Sequence, residues 1–151
     1  RKDQLMTSDK IKRVMDACYM AKRVRDMLPA LPGGVTSSHI HYLDTIWQLE
    51  SMKENVKVSD ISDMLGLPRP SVTKTIKDME NLGFVKKKST KEDGRVVYIQ
   101  ITDSGKALVD TYVDQYFNGL SKELSDITDE QANIMIEVVE KFYTVMSKRK
   151  V

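Results

Sequence analysis

The stretch KVSDISDMLGLPRPSVTKTIKDMENLGFVKKKSTKEDGRVVYIQI, residues 57–101, decides the fold. It opens as a short helix: Ser59 is a natural N-cap, Ile61, Met64 and Leu65 are expected to face inward, and Gly66 supplies a stop that needs positive φ. Leu67, Pro68 and Arg69 make a tight turn. Pro70 suits the first turn of a second helix, where its missing N–H costs nothing, and Val72, Ile76 and Met79 recur at i, i+4 and i+7 as the buried side. That helix should end between Asn81 and Gly83. The period then changes: Phe84 and Val85 begin an extended segment, and Val96, Val97, Tyr98, Ile99 and Ile101 form a second strand. Ser89 to Gly94 read as the polar turn between them. Helix, tight turn, helix and hairpin in succession predict a winged helix-turn-helix.

Outward from this stretch the chain reads as helix. Towards the N-terminus, Ile11, Val14, Met15, Cys18 and Tyr19 share one helical face, with Thr7 or Ser8 as N-cap and an end near Leu28. Pro29, Pro32, Gly33 and Gly34 break it. Ser37 or Ser38 can cap the next helix, which carries Ile40, Leu43, Ile46 and Trp47 and ends near Met52. Towards the C-terminus, Thr102 caps one long helix through Ala107, Leu108, Val109, Tyr112, Val113, Tyr116 and Phe117. Thr128 and Gln131 fit a capping box that opens the last helix. The fold class is mainly α with a small β-hairpin wing.

The length of 151 residues suits one folding unit without disulfides or a structural metal. Cys18 is the only cysteine, so no intrachain disulfide or thiolate zinc cluster can form, and a reducing, cytoplasmic setting is expected. No run approaches the roughly 18 apolar residues of a membrane span, so no membrane partner is expected. The sequence opens on Arg1 rather than on a methionine, which leaves room for residues or a processed leader ahead of it. No phosphate-cradling glycine loop or nucleophile motif is present, and His39 and His41, two residues apart, point about 200° apart on a helix and cannot chelate one metal. Neither an enzyme nor a metal site is expected, and no cofactor is implied.

Charge distribution says more than net charge. The formal net charge of +2 is small, yet from Gly66 to Arg95 eight bases face four acids, leaving the remainder at −2. With Val72, Ile76 and Met79 inward, a rotation of roughly 100° per residue turns Ser71, Lys74 and Lys77 outward, with Thr73 at the border. Hydroxyls and cations near a helix N-terminus suit the base edges and phosphates of a major groove, and Arg69 stands just before them. On the hairpin, Lys86, Lys87, Lys88, Lys91 and Arg95 surround a tip from which an arginine can enter a narrow minor groove, and Asp93 is placed to hold that guanidinium.

The runs Gly66-Leu-Pro-Arg-Pro-Ser-Val-Thr-Lys, Met79-Glu-Asn-Leu-Gly-Phe-Val-Lys-Lys-Lys, Glu92-Asp-Gly-Arg-Val-Val and Ile101-Thr-Asp-Ser-Gly-Lys together resemble the MarR family of bacterial and archaeal regulators. The similarity extends from Val58 to Leu108. It implies a DNA-binding lobe over residues 38–101 and a helical dimerisation lobe over 7–28 and 103–148, within a single chain unit. It further implies a homodimer on a pseudo-palindromic double-stranded DNA site. Ser71, Thr73, Lys74 and Lys77 would read or clamp the major groove and Arg95, partnered by Asp93, would enter the minor groove; beside these, the residues themselves make Arg69 a candidate for phosphate or a base edge and Lys87, Lys88 and Lys91 candidate DNA-binding residues of the wing. Pro68 and Pro70 depart from the family's usual serine or threonine at these points.

The resemblance also implies a repressor released by a small aromatic or anionic effector, for which Arg23, His41 and Trp47 are candidates by chemistry alone. Two other readings are open. Cys18 could make the chain an oxidation sensor, although its place on an apolar helical face predicts a buried, inert thiol. The wing and second helix could instead form a protein-docking module, which the basic face disfavours.

Overall fold

The helices begin where the capping residues say they should. In the computed structural model, which describes residues 4–90 and 93–151, Thr7 accepts the Lys10 amide at 3.2 Å and opens α1 (Ser8–Asp26). Thr102 likewise accepts the Gly105 amide and opens α5 (Asp103–Val109). Thr128 and Gln131 exchange reciprocal bonds of 3.1 and 3.0 Å at the head of α7 (Asp129–Lys148), the expected capping box. α2 runs Ser37–Met52, so Ser37 and Ser38 lie inside its first turn rather than capping it.

Two compact units are present, residues up to Ser37 and residues from Ser38 onward. The first contains α1, which buries none of its residues within the chain. Cys18 is accordingly exposed, not the buried thiol the periodicity predicted, because a helical apolar stripe records a face to be covered and not what covers it.

The second unit holds the core. Tyr42, Leu43, Ile46 and Leu49 of α2 pack with Val56, with Ile61 of α3 (Val58–Leu65) and with Val72, Ile76 and Met79 of α4 (Arg69–Asn81). Val85 of β1 (Val85–Thr90), Ile99 and Ile101 of β2 (Asp93–Ile101) and Val109 of α5 complete it. Met64 corrects the reading of α3: it is 47% exposed. Val58, Ile61, Ser62 and Leu65 form the inward stripe, and at roughly 100° per residue Met64 falls well outside its centre.

The hairpin is longer than the sequence suggested. β1 and β2 pair antiparallel from Val85 with Ile101 through Ser89 with Val97, after which Thr90 pairs with Asp93. Gly94, Arg95 and Val96 are therefore extra residues on β2, and Ser89, Thr90, Asp93 and Gly94, expected in the turn, are strand. A single bridge from Val56 to Ile99, with the Ile99 amide 2.7 Å from the Val56 carbonyl, adds a third partner on the other edge of β2.

The long helix after Thr102 is not uniform. Asp110–Gln115 is a π-helical segment between α5 and α6 (Tyr116–Glu123). Wider turns bring i and i+5 together, and the Gln115 side-chain Nε2 donates to Asp110 Oδ2 at 2.9 Å. α7 buries none of its residues, and Ile134, Ile136, Val138, Val139 and Val145 are exposed along it.

Candidate nucleic-acid interface

α3 and α4 owe their mutual placement to short, local contacts. Gly66 ends α3 in the left-handed region (φ 65°, ψ 33°), a conformation that costs glycine little. Leu67 then donates its amide to Ser62 O at 3.2 Å, and the Ser62 hydroxyl donates to Leu67 O, so the buried serine locks the turn from both sides. The helix start is two residues earlier than expected, with Lys57 rather than Ser59 at the N-cap. Asp60 accepts the Lys57 amide at 2.8 Å and the Lys53 ammonium at 2.9 Å. Burial opposes its charge, but these two partners outweigh burial and hold the carboxyl below the usual carboxylate range.

α4 begins at Arg69, with Pro68 at the N-cap and Pro70 within the first turn. Its first intrahelical bond runs from Val72 N to Pro68 O, so the Arg69 and Ser71 amides precede the ladder, and no side chain caps them. Val72, Ile76 and Met79 are buried, as the period of the sequence required. Arg69, Ser71, Thr73, Lys74, Lys77 and Asp78 are all exposed. The predicted polar face thus lies on the surface as one run along the helix.

A second pair of bonds ends α4. Gly83 donates to Glu80 O at 3.0 Å and Phe84 to Met79 O at 3.0 Å, with Gly83 at φ 82°. The Gly83 carbonyl then receives the hydroxyls of Thr102 (2.7 Å) and Ser104 (2.9 Å), and the Phe84 carbonyl the Thr102 amide (3.0 Å). This is what the Thr-Asp-Ser-Gly sequence does: it clamps the head of α5 to the joint between α4 and β1. Gly105 makes that approach possible, since a Cβ there would overlap the Phe84 carbonyl oxygen and stand 2.8 Å from Ile101 Cγ1. Glu50 of α2 adds a third tie, accepting the Ile101 amide at 2.8 Å. Neither Gly105 nor Glu50 was singled out from the sequence.

The wing separates its lysines by strand parity. Lys87 pairs with buried Ile99 and shares the face of Val85, and its ammonium stands 3.7 Å from Glu80 of α4. Lys86 and Lys88 occupy the opposite face beside Gln100 and Tyr98. There Lys88 and Tyr98 line a hollow of about 210 Å³ together with Glu50 and Glu54. Arg95 is exposed within the extra residues of β2. Lys91 and the side chain of Asp93 lie outside the described residues, so the expected Asp93–Arg95 pair does too.

The effector candidates are dispersed over both units. Arg23 is exposed on α1, His41 is exposed on α2, and Trp47 is half-buried against the core. Among the described residues no group of three or more His, Cys, Asp or Glu could hold a metal ion, and no helix is long and apolar enough to cross a membrane.

Residues 35–97 match the model of the MarR family. The helix-turn-helix-type transcriptional regulator YdgJ of Bacillus subtilis is 20% identical over 106 residues, which cover 70% of this chain and 62% of that protein. The chain spans about half to three fifths of the length of the curated relatives it matches. Among solved structures, FabT of Streptococcus pneumoniae in complex with DNA superposes with a TM-score of 0.66 at 16% identity, covering 95% of this chain and 100% of that one. The MepR–DNA complex of S. aureus gives 0.62 at 16% identity, covering 93% and 96%. At such identities these structures speak to the fold.

Proposed function

We propose that the chain is a member of the MarR family, whose model matches residues 35–97, and that it is a dimeric, sequence-specific DNA-binding regulator of transcription. The observation that carries this reading is the surface run of Ser71, Thr73, Lys74 and Lys77 on a helix whose other side is fully engaged in the core. A helix anchored by Val72, Ile76 and Met79 can enter a major groove without losing its own packing. Lys74 and Lys77 then meet phosphates, Ser71 and Thr73 reach base edges or phosphate, and the free amides at Arg69 and Ser71 favour an anionic oxygen. Arg95, carried on the wing, enters the adjacent minor groove. FabT and MepR, whose folds this chain shares, were solved with DNA.

Dimerisation follows from the uncovered apolar faces of α1 and α7. Ile11, Met15 and Tyr19 on the one and Ile134, Val138 and Val145 on the other are too many apolar side chains to leave in water. A two-fold pair of α4 helices reads half-sites about one helical turn, roughly 34 Å, apart, which requires a pseudo-palindromic site. Repression released by a small aromatic or anionic effector is the remaining part of the proposal. A ligand that changes the α4 spacing by a few ångströms breaks register with the half-sites.

Selection of duplexes from a random pool tests the reading. A recovered inverted repeat, bound with an affinity that falls steeply with salt and weakened by Arg95→Ala, is the expected result. Failure to enrich any sequence, or binding insensitive to salt, refutes it. Trp47 is the single tryptophan, so titration of its fluorescence with phenolic acids tests the effector directly.

A further inference from the structure

The sequence groups Lys87 with Lys88 as DNA-binding candidates, yet the two occupy opposite faces of β1. Lys87 stands on the side of Val85 and Ile99, where α4 packs, and its ammonium lies 3.7 Å from Glu80 Oε1. Glu80 is itself at the joint. Its carbonyl accepts the Gly83 amide that ends α4, while its carboxylate reaches past the turn to the third residue of β1. One residue thus holds the helix end through its backbone and the strand through its side chain.

We infer that Glu80 and Lys87 are positioning residues, an ion pair that fixes the wing relative to the recognition helix, and that Lys87 does not contact phosphate. This rests on the DNA-binding reading above. A regulator that reads a major groove with α4 and the neighbouring minor groove with the wing must keep both at one separation, since a tilt at the base of a hairpin displaces its tip in proportion to its length. Backbone bonds fix the Leu82–Phe84 turn. The hairpin is tied further along by the Ile99–Val56 bridge and the Ile101–Glu50 bond, and the pair adds a direct side-chain tie between α4 and β1. Lys86, on the other face, is left as the cation of β1 that can meet a backbone, since Lys88 lines the hollow with Glu50 and Glu54.

The test uses the full chain with the duplex it selects from a random pool, and a nonspecific duplex beside it. Glu80→Gln and Lys87→Gln are each expected to weaken the selected duplex by a similar factor, up to about fivefold for an exposed pair. The double variant should bind no worse than either single one. The slope of log affinity against log salt should stay that of the unaltered chain, and the charge exchange Glu80→Lys with Lys87→Glu should restore affinity to within about twofold, as expected for a coupled pair. The inference is overturned if Lys87→Gln lowers the salt slope by about one, the mark of a lost phosphate contact. It is equally overturned if Glu80→Gln tightens binding, if neither variant alters affinity, or if the exchange fails to restore it. An unaltered chain that shows no salt-dependent binding to either duplex defeats the DNA reading itself, so the two failures are distinct.

Discussion

Replacing Gly105 with alanine should unseat the joint on which both candidate DNA-binding elements depend. The added Cβ meets the Phe84 carbonyl oxygen and Ile101 Cγ1, the first a backbone atom that cannot turn aside. Relief requires α5 to back away from β1, and overpacking of this kind costs about 1–3 kcal/mol. The same movement lengthens the hydrogen bonds from Thr102 and Ser104 to the Gly83 carbonyl, each worth about 1 kcal/mol. Alanine's better helix preference offsets up to about 1 kcal/mol of this. The net loss is therefore about 1–3 kcal/mol. In urea denaturation at fixed protein concentration, a loss of about 2 kcal/mol with a slope of about 2 kcal/mol/M lowers the midpoint by about 1 M. Gly119→Ala is the control: it lies in α6 with nothing within 4 Å of an added Cβ, so it should stabilise by about 0.5–1 kcal/mol. If Gly105→Ala keeps or raises the midpoint while Gly119→Ala behaves as stated, the clamp is not what requires glycine.

Three further predictions concern charge and association. Asp60 has its folded carboxyl held below the unfolded value, so its contribution is present above that value and lost as pH falls through the folded one. Asp60→Asn should accordingly be less stable than the unaltered chain at pH 7, with the gap closing below roughly pH 4 in thermal melts; a pH-independent gap would refute this. Lys74→Ala should weaken selected and nonspecific duplexes alike and reduce the salt slope by about one, whereas a loss confined to the selected site would make Lys74 a base reader. Val138→Asp, on the exposed stripe of α7, should shift the chain towards monomer in light scattering, and an unaltered mass would place the dimer interface elsewhere.

Much of the fold was legible because its signals are local. Thr7, Thr102 and Thr128 cap the helices the sequence assigned to them, since a cap is decided within four residues. The stripe of Val72, Ile76 and Met79 orients α4 because its spacing admits one face only. Met64 was misplaced because α3 is two turns long, and with few apolar residues the stripe can be centred in more than one way. The π segment at Asp110–Gln115 carries no residue that marks it.

What the sequence determined by itself was the order of elements, the rotation of α4 and the clustering of cations around it, all properties of neighbours in the chain. What tertiary structure alone decided was which of those cations are committed elsewhere and what holds the parts in place. Lys87 and Lys88 are adjacent and chemically identical, yet strand parity sends one to Glu80 and the other to the hollow beside Glu50 and Glu54. Glu50 finds the Ile101 amide across 51 residues, and Gly105 meets the Phe84 carbonyl from the far side of the hairpin. Such pairings depend on the register of β1 against β2 and on the packing of α5 on both. Those distances are set by the folded core and by no spacing along the chain.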